Sequence, residues 1–188
     1  RMKADGFHVA VVEPLRNKIL GDRPVIPDHT VVLIPVENEN EAYYLAGILN
    51  STIMAFILQY AVVESVSNLA IPRFDLNNGL HRMVAELSKH AHELAKCIYA
   101  SKKPEYCLGV NAEEELKKIE AELDTAVAQL FGLSKDELEE VAKLMTILRG
   151  EEVPVEEEVA VPKEPAVTVL NTLLKPDVQS YIEIDVVN

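Results

Sequence analysis

Arg16, Lys18, Arg23, Arg73 and Arg82 are the cations whose placement suggests chemistry. The first three fall within eight positions of Pro14-Leu15-Arg16-Asn17-Lys18-Ile19-Leu20-Gly21-Asp22-Arg23. Such groups reach phosphate oxygens, and an arginine can also bond a guanine edge through two parallel N–H groups; as ordinary loop charges they simply stay solvated. Arg73 stands in Ile71-Pro72-Arg73-Phe74-Asp75, where Pro72 removes a backbone donor and pushes Ile71 toward an extended conformation. Phe74 then anchors the stretch and the guanidinium points outward, so a structural passage between helices and an exposed contact both remain open. Asp75 can pair with Arg73 or cap a turn.

Other reactive types argue for less. His90 and His92, two apart on a helix, face different directions, and no carboxylate sits at a matching step, so His81, His90 and His92 read as partly exposed histidines and not metal ligands. His8 and His29 read as strand-edge or turn residues. Cys97 and Cys107 lie ten apart with no Cys or His at zinc spacing, which reads as free structural thiols in a reducing compartment. Tyr43 and Tyr44 can stack on an extruded base, but beside Leu45 at helical spacing they fit a packed interior.

The elements that position these groups are mostly helical. Tyr44, Leu45, Ile48, Leu49, Ile53, Phe56, Ile57 and Tyr60 recur at three- and four-residue steps, predicting one apolar helix capped by Asn38 or Asn40. Glu39 and Glu41 suit the positive end of its dipole. After Ala61 the β-branched Val62, Val63 and Val66 weaken the pattern, and Asn77-Asn78-Gly79 turns the chain into a second helix running from Leu80 to about Ser101. A third spans Ala112 to Phe131 and ends at Gly132. Ser134 with Glu137 forms a capping box for a fourth that Gly150 closes. Gly6–Glu13 and Thr30–Val36 read as neighbouring strands with the basic segment as a loop between them. The expected class is α+β: a small β-sheet packed on a helical bundle, with an acidic β-rich tail. The corresponding parts are residues 1–78, 79–150 and 151–188. In the tail, Ala166–Leu170 and Ser180–Val187 look like strands, the second alternating like an edge strand.

These stretches carry a resemblance. Tyr44-Leu45 with Gly47-Ile48-Leu49-Asn50-Ser51, then Ile71-Pro72-Arg73-Phe74-Asp75, Leu80-His81, Ala85-Glu86-Leu87-Ser88 and Ala91-His92-Glu93-Leu94-Ala95 are similar to the target-recognition region of adenine-N6 DNA methyltransferases. More narrowly, they resemble the TaqI-like C-terminal specificity domain of combined type II restriction and modification enzymes. Pro24-Val25-Ile26-Pro27-Asp28-His29-Thr30 fits the same pattern, and the likeness covers roughly residues 20 to 150. It implies a piece that binds double-stranded DNA and positions it for a catalytic methyltransferase or nuclease domain in the same or a partner polypeptide. S-adenosylmethionine and magnesium would belong to those catalytic domains, so no cofactor is expected in this chain.

Neither a Gly-rich turn for a methyl donor nor an Asn-Pro-Pro-Tyr or Asp-Pro-Pro-Tyr loop occurs, and there is no phosphate loop or nucleophile elbow. Pro176-Asp177 with Glu183-Ile184-Asp185 approaches a nuclease magnesium motif but lacks its lysine. The expectation is a chain that catalyses nothing. Arg1 preceding Met2 suggests a fragment or an added first residue. The formal net charge of −13 opposes DNA binding at first sight, but residues 1–110 hold 11 basic against 12 acidic side chains, and residues 111–188 hold 7 against 19. The amino-terminal part can therefore still present a local basic face. The competing reading is an assembly module whose acidic helices contact other proteins and no DNA. No signal peptide is visible, and the longest apolar run, broken by Asn50, Ser51, Thr52 and Gln59, suits a buried helix better than a span; a cytoplasmic chain with no membrane contact is expected.

Overall fold

The computed structural model describes residues 8–19, 21–23, 25, 33–60 and 70–148. Two short strands, β1 (Leu15–Asn17) and β2 (Gly21–Arg23), precede five helices: α1 (Glu39–Asn50), α2 (Thr52–Tyr60), α3 (Gly79–Tyr99), α4 (Ala112–Leu130) and α5 (Lys135–Leu148). This mostly helical arrangement with a small sheet is α+β in the coarse sense expected. The Val62–Asn68 stretch, His29, residues 30–32 of the second predicted strand, and the whole tail with its two predicted strands and Asp177 lie outside the described residues.

Helix boundaries follow the capping chemistry. Asn38 Oδ1 accepts the Asn40 amide hydrogen at 2.9 Å, and Asn78 does the same for Leu80 at 2.9 Å. Gly132, at φ +70, closes α4. At α5 the Ser134 amide and hydroxyl both donate to Glu137 Oε2 at 2.8 Å, while Glu137 N–H donates back to Ser134 Oγ at 3.3 Å. Those bonds from Ser134 hold the Glu137 carboxyl below the usual range.

One predicted helix is two. The chain bends by 63° at Ser51, which has extended backbone dihedrals. Ser51 Oγ donates to Ile48 O at 2.7 Å and accepts from Met54 N–H at 3.2 Å, so this side chain ends α1 and starts α2. A second cap comes from far along the sequence: Asp124 on α4 accepts the Thr52 amide at 2.8 Å and the Thr52 hydroxyl at 2.6 Å. The bend lets both halves bury their apolar faces. Tyr44, Ile48, Leu49, Ile53, Met54, Phe56 and Ile57 are fully enclosed with Ile71, Val84 and Val127, and Leu123, Phe131, Leu133, Val141 and Met145 extend the same core. Each such side chain contributes about 1.5–3 kcal/mol. Among the described residues no single helix is long and apolar enough to cross a membrane.

The β region departs from expectation. Residues 8–14 carry no strand, because side chains of α1 and α3 take the backbone groups of Val9 and Val11 that a neighbouring strand would have paired. The predicted basic loop is itself the hairpin, with Leu15 opposite Arg23, Arg16 opposite Asp22 and Asn17 opposite Gly21. Asn17 Oδ1 accepts Ile19 N–H at 2.8 Å, and Gly21 takes φ +71, a turn chemistry that local sequence supplies. Both strands of the hairpin are exposed throughout, so neither buries a face on the bundle; Val9, Val11, Ile34 and Val36 do that instead.

Cys97 and Cys107 form a disulfide and are not free thiols. The end of α3 and a short 3-10 turn at Glu105–Cys107 bring their Cα atoms to 5.4 Å, within disulfide reach.

Two stability predictions follow from this packing. A Cβ on Gly47 would stand 3.0 Å from Val84 Cγ1, 3.1 Å from Ser88 Cβ and 3.2 Å from the Val84 carbonyl oxygen, and backbone does not step aside. Gly47→Ala should therefore lower stability by about 1–3 kcal/mol in urea unfolding, overriding the roughly 1 kcal/mol that alanine gains in a helix; equal or greater stability would contradict this close α1–α3 approach. Reducing the disulfide, which closes a loop of separation 10, should cost about 2–3 kcal/mol in the same assay.

Candidate nucleic-acid interface

The connector that leads into α3 is fastened to both helices beneath it. Ile71 is fully buried, and the Tyr44 hydroxyl donates to Pro72 O at 3.0 Å. Phe74 packs its ring 5.4 Å from Tyr44 and 6.3 Å from His81, while Tyr44 and His81 lie 4.9 Å apart. Asp75 N–H donates to His81 Nδ1 at 3.0 Å. The Asp75 carboxylate then caps the turn, accepting from Asn77 N at 2.8 Å and Asn77 Nδ2 at 3.2 Å. Arg82 Nη1 braces that turn by donating to Leu76 O at 2.8 Å. Arg73, between the two anchors, is exposed.

The electrostatics follow from burial. Tyr44, with no exposed surface, has its phenol pushed far above the ordinary range by desolvation, so it stays a neutral donor. His81 is buried, where a partly exposed histidine was expected; desolvation lowers its pKa, and the nearby Asp75 carboxylate opposes that shift. Because Nδ1 accepts the Asp75 amide hydrogen, the working ring is neutral and carries its hydrogen on Nε2.

The candidate cations divide between two places. Arg16, Lys18 and Arg23 stand together on the exposed hairpin, with Arg16 opposite Asp22 in register. Arg73 and Arg82 belong to the connector and the first turn of α3, where Arg82 serves the turn. All five do not share one element. Tyr43 and Tyr44 are buried packing residues, 5% and 0% exposed, and are not a free stacking platform. Among the described residues no group of His, Cys, Asp and Glu is arranged to hold a metal ion.

Sequence reasoning did not find the side chains that fasten distant segments: Asn50, His81, His92 and Asp124. Only His81 had a local signal, lying six residues after Asp75 at the start of a predicted helix. The other three are defined by partners 41, 81 and 72 residues away, which no spacing rule reaches.

His81 gives the connector a pH dependence whose sign is fixed. Its folded pKa is below the unfolded value of about 6.5, so the unfolded chain takes up the proton first. Stability should fall as pH drops through that unfolded value and level off below the folded one. Urea midpoints across this window should decline, and His81→Asn, which keeps an acceptor near Nδ1 without titrating, should flatten that part of the curve; an identical decline in the variant would remove His81 as the cause.

Searches of protein-family models, of curated proteins and of solved structures each return no match to this chain.

Proposed function

We propose that this chain is a non-catalytic DNA target-recognition part of an adenine-N6 restriction-modification methyltransferase or endonuclease, holding double-stranded DNA for methylation or cleavage performed by a catalytic domain outside these residues. The reading rests on the motif resemblance. The observation that supports it most is the connector: an exposed arginine at the centre of a segment pinned by Tyr44 and His81 is preorganised, so a contact made there loses little freedom on binding. The hairpin adds a second cluster of exposed cations in Arg16, Lys18 and Arg23. S-adenosylmethionine and magnesium enter this proposal only through the catalytic domain.

A cytoplasmic location goes with that role. The Cys97–Cys107 disulfide weighs against it, since reducing compartments keep thiols free; burial of Cys97 shields one sulfur from exchange.

A second reading, protein assembly without DNA, is favoured by Tyr99 and Leu108, which are 80% and 83% exposed near the disulfide. Titrating the chain with duplex DNA at rising salt separates the two. The DNA reading expects weak binding whose log K falls linearly with log salt, and a slope reduced by roughly one in Arg73→Ala and again in Arg16→Ala. No binding at low salt, or an unchanged slope in both variants, would select assembly.

A further inference from the structure

The arm formed by residues 8–13 is held by side chains and not by a strand. Asn50 Oδ1 accepts Val9 N–H at 2.9 Å while Asn50 Nδ2 donates to Val9 O at 2.7 Å, a pair of bonds that pH does not touch. Two residues on, Val11 N–H donates to His92 Nε2 at 3.2 Å. The other ring nitrogen, Nδ1, lies 2.7 Å from Ser88 O. A carbonyl oxygen only accepts, so Nδ1 must carry hydrogen; Nε2 then holds the lone pair, and the ring is neutral. A second proton would set an N–H donor against the Val11 donor.

The rest of the arm is held by packing among the described residues. Val9 and Val11 pack partly buried against the core, Ala10 and Val12 are exposed, and the chain continues into the exposed hairpin bearing Arg16, Lys18 and Arg23. Around the imidazole, Tyr43 of α1 meets it edge-on with ring centroids 5.3 Å apart. Lys89 sits 5.6 Å above that tyrosine ring and bonds Glu39 at 2.7 Å, so this cation is already matched by an acid. Glu93 follows on α3, and the arm itself carries His8 and Glu13.

We propose that His92 is a proton-operated latch: the neutral imidazole holds the amino-terminal arm at Val11, and protonation releases it there while Asn50 keeps the arm tethered at Val9. Release removes the His92 tie and leaves the Asn50 pair at Val9, which changes where the three cations of the hairpin can reach. The latch does not depend on what those cations bind.

Amide exchange measured on the full chain tests it, expressed as protection relative to intrinsic rates. Between about pH 8 and pH 5, Val11 should lose protection by roughly fivefold or more, the factor that one hydrogen bond contributes to a local opening, while Val9 changes little. His92→Gln, whose side-chain oxygen can accept without titrating, should hold Val11 at both pH values, and His92→Ala at neither. Constant protection of Val11 in the natural chain, or a His92→Gln variant that follows it, overturns the proposal. Nitrogen chemical shifts of the His92 ring in the natural chain provide a reading that needs no variant: hydrogen on Nδ1 at pH 8 is expected, and hydrogen on Nε2 alone refutes the latch.

Discussion

Tyr44 has no exposed surface, yet it carries a hydroxyl that must find an acceptor. Left unbonded in the core, that group would cost about 1–3 kcal/mol, so the chain is built to deliver Pro72 O to it at 3.0 Å. This requirement links α1 to the segment that leads into α3. It ties the connector after α2 to the middle of α1, and it places Ile71 and Phe74 where they complete the core. His81, in the first turn of α3, supplies the second tie through the Asp75 amide and tiles its ring against Tyr44 and Phe74. Gly47 favours this geometry, because a Cβ there would crowd Val84 and Ser88 at 3.0–3.2 Å.

The same device recurs at the amino-terminal arm and at the start of α2. A polar side chain on a helix reaches out and bonds the backbone of something distant in sequence: Asn50 to Val9, His92 to Val11, Asp124 to Thr52. Helices satisfy their own interior donors and acceptors, whereas an irregular segment laid on apolar surface does not, so its backbone groups need partners from beneath. His92 here, like His81 at the Asp75 amide, is an imidazole that must stay neutral to accept. The irregular parts of the molecule, which carry most of the candidate cations, thereby depend on proton occupancy in a way that the helical core does not.

What could be read in the sequence follows from the same division. Helices α3, α4 and α5 were legible because their signals are local: apolar steps of three and four, the Asn77-Asn78-Gly79 turn before α3, Gly132 as a stop, and the reciprocal Ser134–Glu137 pair. The break at Ser51 was written in Asn50-Ser51-Thr52, but those residues also fit an uninterrupted helix until Asp124 supplies the cap from α4. Val9 and Val11 have strand-like composition and a strand-like alternation of burial, yet among the described residues they have no strand partner, which β-branching alone cannot reveal. The disulfide depended on α3 and the 3-10 turn folding back toward each other, a distance that a spacing of ten does not encode. Of the candidate site, the anchoring of Phe74 was legible, and the participation of His81 was not.

The Tyr44 and His81 bonds make the connector a rigid mount and not a mobile loop, a property that relaxation of the Arg73 backbone amide reports. If Tyr44 and His81 hold both sides of this residue, its order parameter should match the helices, at about 0.85. A value below about 0.6, the range of flexible backbone, would contradict the account.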